Sequence, residues 1–127
     1  MKLSKEESQK YLDTILDHVS ATLKVKAVEY IRNEDYMHNF NQGARQSGKL
    51  REEVMEDYRL KHIVSRNDLI EDLKEGKLPT EKYILEKYGD IINYYVLEFV
   101  SLMQRIDEYS SGNDYCKNIK VIVKGKL

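Results

Sequence analysis

The stretch that decides the fold is residues 79–109, PTEKYILEKYGDIINYYVLEFVSLMQRIDEY. Thr80 follows the chain's single proline and is a suitable N-cap, and no later proline interrupts the segment. Apolar side chains recur at helical spacing and, in the second half, extend nearly all round the helix: Ile84, Leu85, Tyr88, Ile91, Ile92, Tyr94, Tyr95, Val96, Leu97, Phe99, Val100, Leu102, Met103 and Ile106. A helix that is apolar on every side is a buried one. We therefore expect a long buried central helix near residues 80–109, with the other helices packed around it.

A narrow polar stripe interrupts this apolar surface. At about 100° per residue, Glu86, Asp90 and Asn93 share one side of the helix, and Leu97 continues nearly the same line. Because the stripe turns apolar one turn later, we expect it to face the protein interior. Buried carboxylates need cations or hydrogen-bond donors, so this stripe predicts a site.

Length and composition limit the classes of function. The chain has 127 residues, which suggests one domain. Charged residues make up 34% and the net charge is −1, so we expect neither nucleic acid nor an anionic membrane as a partner. Cys116 is the single cysteine, which excludes a disulfide framework and favours a cytoplasmic location. The sequence shows neither a signal-peptide core nor an apolar stretch approaching the ~18 residues of a membrane span.

Two further long helices are predicted, near residues 4–32 and 50–75. Ser4 and Glu7 form a possible capping box for the first, and Gly76 is the expected C-cap of the second. The polar residues 65–68 could break the second helix. The short connector 76–79 predicts antiparallel packing against the central helix. The predicted inner stripe of the first helix is Leu12, Ile15, Leu16, Val19, Leu23, Val28 and Ile31.

Residues 33–48 and 112–127 lack a helical pattern. The first stretch is predicted to be a loop, and loops of this length are usually functional or disordered. The second contains a linker and a weak strand signal over 118–124, which would pair with another chain, lie on the bundle or be a tail. The expected organisation is an all-α antiparallel helical bundle over residues 1–111, followed by a linker and a C-terminal tail or short strand over 112–127.

Acidic residues lie on the predicted inner side of the second long helix as well. Its inner stripe is expected to be Leu60, Ile63, Val64 and Ile70. On a helical wheel Glu53 lies about 20° from Leu60, and Glu56 about 20° from Ile63. Antiparallel packing would then bring several carboxylates to one point: Glu52, Glu53, Glu56, Glu86 and Asp90. Such a cluster requires a cation, and oxygen ligands select Mg²⁺, Mn²⁺ or Ca²⁺.

These motifs resemble a known family. Residues 52–56 (EEVME) and 86–92 (EKYGDII) resemble the Glu-Glu-x-x-Glu and Glu-x-x-Asp motifs of the all-α nucleotide pyrophosphohydrolases, the MazG and dimeric dUTPase relatives. Residues 26–30 (KAVEY), 39–40 (NF) and 90–94 (DIINY) resemble the phage-associated "nucleotide modification associated" domain. The resemblance covers about residues 24–100. One departure stands out: the acid normally found three residues before the aspartate is replaced by Lys87, and Glu86 lies four residues before it.

The resemblance implies a four- or five-helix bundle, dimeric or tetrameric and phage or prophage encoded. It would use Mg²⁺ or Mn²⁺ to cleave nucleoside triphosphates to monophosphate and pyrophosphate. By position, it implies Glu53, Glu56 and Asp90 as metal ligands and Glu52 and Glu86 as catalytic residues. The predicted nucleotide-binding residues are Lys26, Glu29, Tyr30, Asn39, Lys61 and Asn93.

Other interpretations remain open at this point. The same bundle could bind a nucleotide without turnover or act as an inactive anti-defence protein. It could also be a helical interaction module whose acids are solvated and whose C-terminal strand docks a partner. Asp90 could simply pair with Lys87, Lys61 or Arg59.

The three histidines lack ligand spacing, and we expect surface or core-edge positions for His18, His38 and His62. A homo-oligomer is predicted, because three helices cannot readily enclose so apolar a helix.

Overall fold

The computed structural model describes residues 1–112, apart from the side chain of Tyr30, and confirms the all-α fold class. The described helices are α1 (Lys5–Tyr30), α2 (His38–Ser47), α3 (Arg51–Lys74) and α4 (Glu81–Ser110). In this described part of the chain, no helix is long and apolar enough to cross a membrane. The strand predicted over 118–124 lies outside the described residues.

The predicted helix ends are confirmed where polar side chains cap them. The Ser4 hydroxyl accepts from the Glu7 N–H at 3.1 Å, and the Thr80 hydroxyl accepts from the Tyr83 N–H at 3.2 Å. Gly76 follows the end of α3 with φ 78°, a left-handed conformation that glycine adopts without a steric penalty. α3 itself runs without a break through residues 65–68.

α3 and α4 form the central pair of the bundle, with α1 packed mainly on α4 and α2 mainly on α3. Arg51, at the start of α3, bonds to Ser101, near the end of α4, so these two helices are antiparallel as predicted. α1 runs parallel to α4, because Tyr11 and Ile84, each near the start of its helix, line the same groove.

α2 covers the hydrophobic core at one end of the bundle, where the sequence predicted a loop. The core consists of Met37, Phe40, Val54, Met55, Tyr94 and Leu97. α2 has ten residues, and Phe40 is its one buried residue, which leaves too few apolar positions to reveal a helical period. The helix lies close on α3, since a Cβ atom at Gly43 would be 2.9 Å from Cγ1 of Val54.

The buried side of α3 is not the predicted one. Its buried residues are Arg51, Val54, Met55, Arg59 and Leu69. Leu60 and Val64 of the predicted inner stripe are instead 59% and 50% exposed. The prediction assumed that the apolar line faces inward. In the structure two arginines lie on the buried line, where Arg51 is hydrogen-bonded to α4 and Arg59 lies over the ring of Tyr95.

α4 is buried on one side only. Its buried residues are Gly89, Asn93, Tyr94, Leu97 and Ser101. On the opposite side, Tyr95, Phe99 and Met103 are 49%, 62% and 46% exposed. On α1, the predicted inner residues Leu12, Leu16 and Val28 are exposed as well. The expectation that the chain's own helices wrap all round α4 is therefore wrong for the single chain.

Candidate functional site

The register between α3 and α4 decides which polar groups meet. Glu52 on α3 lies against Ser101 and Arg105 of α4, whereas His62 lies against Asp90. Because a helix rises about 1.5 Å per residue, the levels of Glu52 and His62 are about 15 Å apart. The acidic motif at the start of α3 and the acidic motif of α4 therefore lie at different heights in the bundle.

The predicted metal ligands accordingly do not converge. Glu53 caps α3, where its carboxylate accepts from the Leu50 N–H at 3.0 Å. Glu56 and Glu86 are exposed, and Asp90 lies near His62. Within residues 1–112, no three histidine, cysteine or acidic side chains gather closely enough to hold a metal ion. As arranged here the residues do not fit a Mg²⁺ or Mn²⁺ site, and the metal site stays a prediction.

Glu52, predicted to be catalytic, belongs to a fully paired network with Arg51, Ser101 and Arg105, which we call the Glu52 network. Arg105 Nη2 lies 2.8 Å from Glu52 Oε1, and the Ser101 hydroxyl donates a short hydrogen bond to the same carboxylate. Arg51 is 5% exposed and donates to the Ser101 carbonyl at 2.9 Å.

The electrostatics of Glu52 do not suit a base. Burial by itself raises the pKa of this carboxyl, but the hydrogen bonds from Arg105 and Ser101 and the charge of Arg105 outweigh it. The net effect is a pKa below the ordinary 4.5. A carboxylate with a lowered pKa is a weak proton acceptor, so the Glu52 network joins α3 to α4 rather than serving acid–base chemistry.

A second group of polar residues lies between α1, α3 and α4: His18, Lys26, His62, Asp90 and Asn93, which we call the polar cluster. Lys26 Nζ lies 3.6 Å from Asp90 Oδ1, and His62 Nδ1 lies 3.4 Å from Asp90 Oδ2. Both distances exceed those of a good hydrogen bond. The side chains of Lys26 and Asp90 are 28% and 23% exposed, so the cluster reaches solvent on this side.

The cation beside Asp90 is not one that the sequence suggested. Lys87 lies over the ring of Tyr83, with Nζ 5.3 Å from its centroid. Arg59 pairs with Glu98 at 3.8 Å, and Lys61 is exposed. Lys26 supplies the positive charge instead.

Among the described residues, Asn93, Arg59 and Gln104 have buried side-chain polar atoms without a hydrogen-bond partner, and of these Asn93 belongs to the polar cluster. It is 2% exposed, and neither Nδ2 nor Oδ1 has a hydrogen-bond partner among the described residues. An unpaired buried polar group costs about 1–3 kcal/mol, so native proteins rarely keep one without a purpose. Asn93 lies one turn after Asp90 on α4, which places the unpaired amide beside the loosely held carboxylate.

His62 completes the cluster from α3. Burial is the main cause that lowers its pKa below 6.5; Asp90 opposes this shift, and the charges of Lys61, Lys26 and Lys87 reinforce it. The ring is therefore neutral near pH 7. Since Nδ1 faces a carboxylate, we assign the proton to Nδ1, which leaves Nε2 as an acceptor. The ring stacks on Tyr94, with centroids 5.6 Å apart.

Gly89 lets α1 approach this cluster. A Cβ atom at position 89 would lie 2.6 Å from Cδ2 and 2.8 Å from Nε2 of His18. Such distances are too short for any real contact, so the imidazole lies directly against the backbone of α4. Glycine is required here for close approach, not for an unusual backbone angle.

The remaining predicted nucleotide-binding residues lie elsewhere. The Asn39 amide donates to the Glu29 carbonyl at 3.3 Å, and both residues are exposed. Lys61 is exposed, and the side chain of Tyr30 is outside the described atoms. Of the predicted site residues, the structure brings together Lys26, Asp90 and Asn93. His62 was missed because it lies on the true buried line of α3, which the apolar pattern did not show.

A further polar cavity of about 580 Å³ lies near the start of α3 and is lined by basic residues, among them Arg45, Lys49, Arg51 and Arg105. Three of these cations already have acidic partners. Lys49 pairs with Asp57 at 2.8 Å, and the other two belong to the Glu52 network. Most of the positive charge that lines this cavity is therefore neutralised within the chain.

Comparison with known proteins adds no relative. No family model, no curated protein and no solved structure matches the chain. We therefore infer the function from the geometry of the polar cluster.

Proposed function

We propose that the chain binds a nucleotide at the polar cluster. The observation that carries the proposal is the buried amide of Asn93, whose donor and acceptor are both unpaired. A ligand that pairs both atoms would recover the free energy lost by burying them. The neighbouring Asp90 carboxylate is held loosely enough to exchange partners when a ligand enters.

The groups of the polar cluster match the parts of a nucleotide. A primary amide offers a donor and an acceptor side by side, which is the pattern that a nucleobase edge returns. The ammonium of Lys26 offers charge for a phosphate, and its 28% exposure leaves the phosphate end near solvent. His62, neutral and with a free Nε2, supplies one more acceptor.

The sequence resemblance supports the same site. Lys26 and Asn93 come from two separate stretches that resemble the nucleotide modification associated domain. In the folded chain, Lys26 contacts Asp90, and Asn93 follows one turn later on the same helix. Residues distant in the sequence but adjacent in space are what a binding site requires.

Calorimetric titration with the four ribonucleoside and four deoxynucleoside triphosphates tests the proposal. We expect at least one to bind the native protein and Lys26→Met to weaken that binding roughly tenfold, as for the loss of one charged contact. Lys24→Met, also on α1 but exposed, is the matched control and should bind normally. Equal loss in both variants, or no binding to the native protein, would contradict the proposal.

The hydrolase predicted from the resemblance is assayed in the same samples. Pyrophosphate release that requires Mg²⁺ or Mn²⁺ and disappears in both Glu56→Gln and Asp90→Asn would assign that activity. Binding without release would leave the chain as a nucleotide-binding protein.

A further inference from the structure

α4 carries an apolar line on the side turned away from the chain's own core. Its residues alternate in steps of four and three, and we call the line the α4 seam: Tyr88, Ile92, Tyr95, Phe99, Leu102, Ile106 and Tyr109. Phe99, Leu102 and Ile106 are 62%, 50% and 52% exposed. Alternating steps of four and three are the spacing of a helix that packs lengthwise against another helix.

The chain itself does not supply that second helix among its described residues. The opposite side of α4 already contacts the core through Tyr94 and Leu97. At its N-terminal end the seam enters an open apolar groove of about 750 Å³, whose walls include Ile15 of α1 and Leu73 of α3. Over the second half of α4 the seam stands exposed.

The exposed area is that of an interface. Seven residues on this side are about half exposed: Tyr95, Phe99, Val100, Leu102, Met103, Ile106 and Tyr109. Taking ~200 Å² for a fully exposed side chain of this size, they present on the order of 700 Å² of surface. The largest apolar patch on a monomer is usually no more than about 600 Å², whereas a standard interface buries about 800 Å² per partner and the lower limit is about 500 Å².

The charges beside the seam favour an apolar and self-complementary partner. Glu98 is paired with Arg59 at 3.8 Å, and Arg105 with Glu52 at 2.8 Å, both within the chain. These two charges are therefore neutralised within the chain and do not select an oppositely charged surface. The alternation of four-residue and three-residue steps is the same in both directions along α4. The seam can therefore pack against a second copy of itself that runs in the opposite direction.

We propose that two copies of the chain pair through the α4 seam, antiparallel about a two-fold axis. This orientation places the exposed second half of each α4 against the apolar groove at the start of the other, which a parallel pair would not do. Self-complementary pairing of one patch on both subunits is the usual geometry of a homodimer. The inference is independent of nucleotide binding.

Sedimentation of the full chain at tens of micromolar tests the pairing. We expect a mass about twice 15.0 kDa for the native protein and a monomer for Phe99→Glu. The matched control is Leu16→Glu on α1, an equally exposed position at 63%, which should remain a dimer. Leu102→Gln, a milder change, should raise the dissociation constant at least tenfold without loss of helical circular dichroism.

Three results would overturn the proposal. The native chain could sediment as a monomer, which would mean that something other than a second copy covers the seam. Leu16→Glu could dissociate the dimer as readily as Phe99→Glu, which would place the interface on α1. Phe99→Glu and Leu102→Gln could both remain fully dimeric, which would place it elsewhere.

Discussion

Two carboxylates lie between α3 and α4, and the protein holds them in opposite ways. Glu52 receives charged hydrogen bonds from Arg105 at 2.8–3.0 Å and a further bond from Ser101. Asp90 is approached by Lys26 and His62 only at 3.6 and 3.4 Å, and the amide beside it is unpaired. A saturated network stabilises the fold and leaves nothing for a ligand. An unsaturated one costs stability and is able to bind.

The largest expected effect is the loss of the saturated network. Glu52→Ala removes the carboxylate that pairs with both Arg51 and Arg105, and Arg51 is only 5% exposed. Because a buried charge then loses its partner, we expect the free energy of unfolding to fall by about 3 kcal/mol. Urea unfolding measures this. The exposed pair of Glu71 and Lys74 is the control, and Glu71→Ala should cost less than about 0.5 kcal/mol. Similar values for the two variants would show that the Glu52 network does not join the helices.

A smaller effect is expected where α1 approaches the polar cluster. Gly89→Ala places a methyl group against His18. Overpacking of this kind costs roughly 1–3 kcal/mol, and the better helix propensity of alanine returns about 1 kcal/mol, so we expect a net loss of stability of about 1 kcal/mol. The double variant with His18→Ala should recover most of the loss. If Gly89→Ala alone is neutral, α1 is not fixed against α4 here, and the polar cluster is less well defined than described.

The smallest effect is on the pH dependence of stability. The pKa of His62 is lowered, mainly by burial, so the unfolded chain binds a proton more readily. The contribution of His62 to the free energy of unfolding is therefore fully present above pH 6.5, and it is lost as the pH falls below that value. Glu52, whose pKa is also lowered, adds a loss only below pH 4.5. Urea midpoints across this range should show two steps, and His62→Gln should remove the upper one.

Part of this comparison could be predicted from the sequence. The long α4, its Thr80 cap and the presence of Asp90 and Asn93 on one polar side all follow from spacing along a single helix. Lys26 was predicted as a nucleotide contact from its motif, and the structure places it at Asp90. Features local to one element are the ones that a single sequence reports well.

What could not be predicted depends on how the helices are placed against one another. The rotation of α3 was assigned from Leu60 and Val64, whereas the buried positions belong to Arg51 and Arg59. The register that separates Glu52 from Asp90 is fixed by packing, which periodicity does not contain. α2 was missed because Phe40 alone marks its inner side.

The measurement that tests the central claim most directly is the stability of Asn93→Leu, without and with nucleotide. Replacing an unpaired buried amide by a similar apolar side chain should raise the free energy of unfolding by about 1 kcal/mol in the absence of ligand. The nucleoside triphosphate that binds the native protein should then give the variant none of the stabilisation that it gives the native protein. Asn67→Leu, at an exposed position on α3, should change neither quantity. The opposite result, a variant less stable than the native protein and an equal response of both to nucleotide, would mean that Asn93 is a paired structural residue and that the polar cluster is not a binding site.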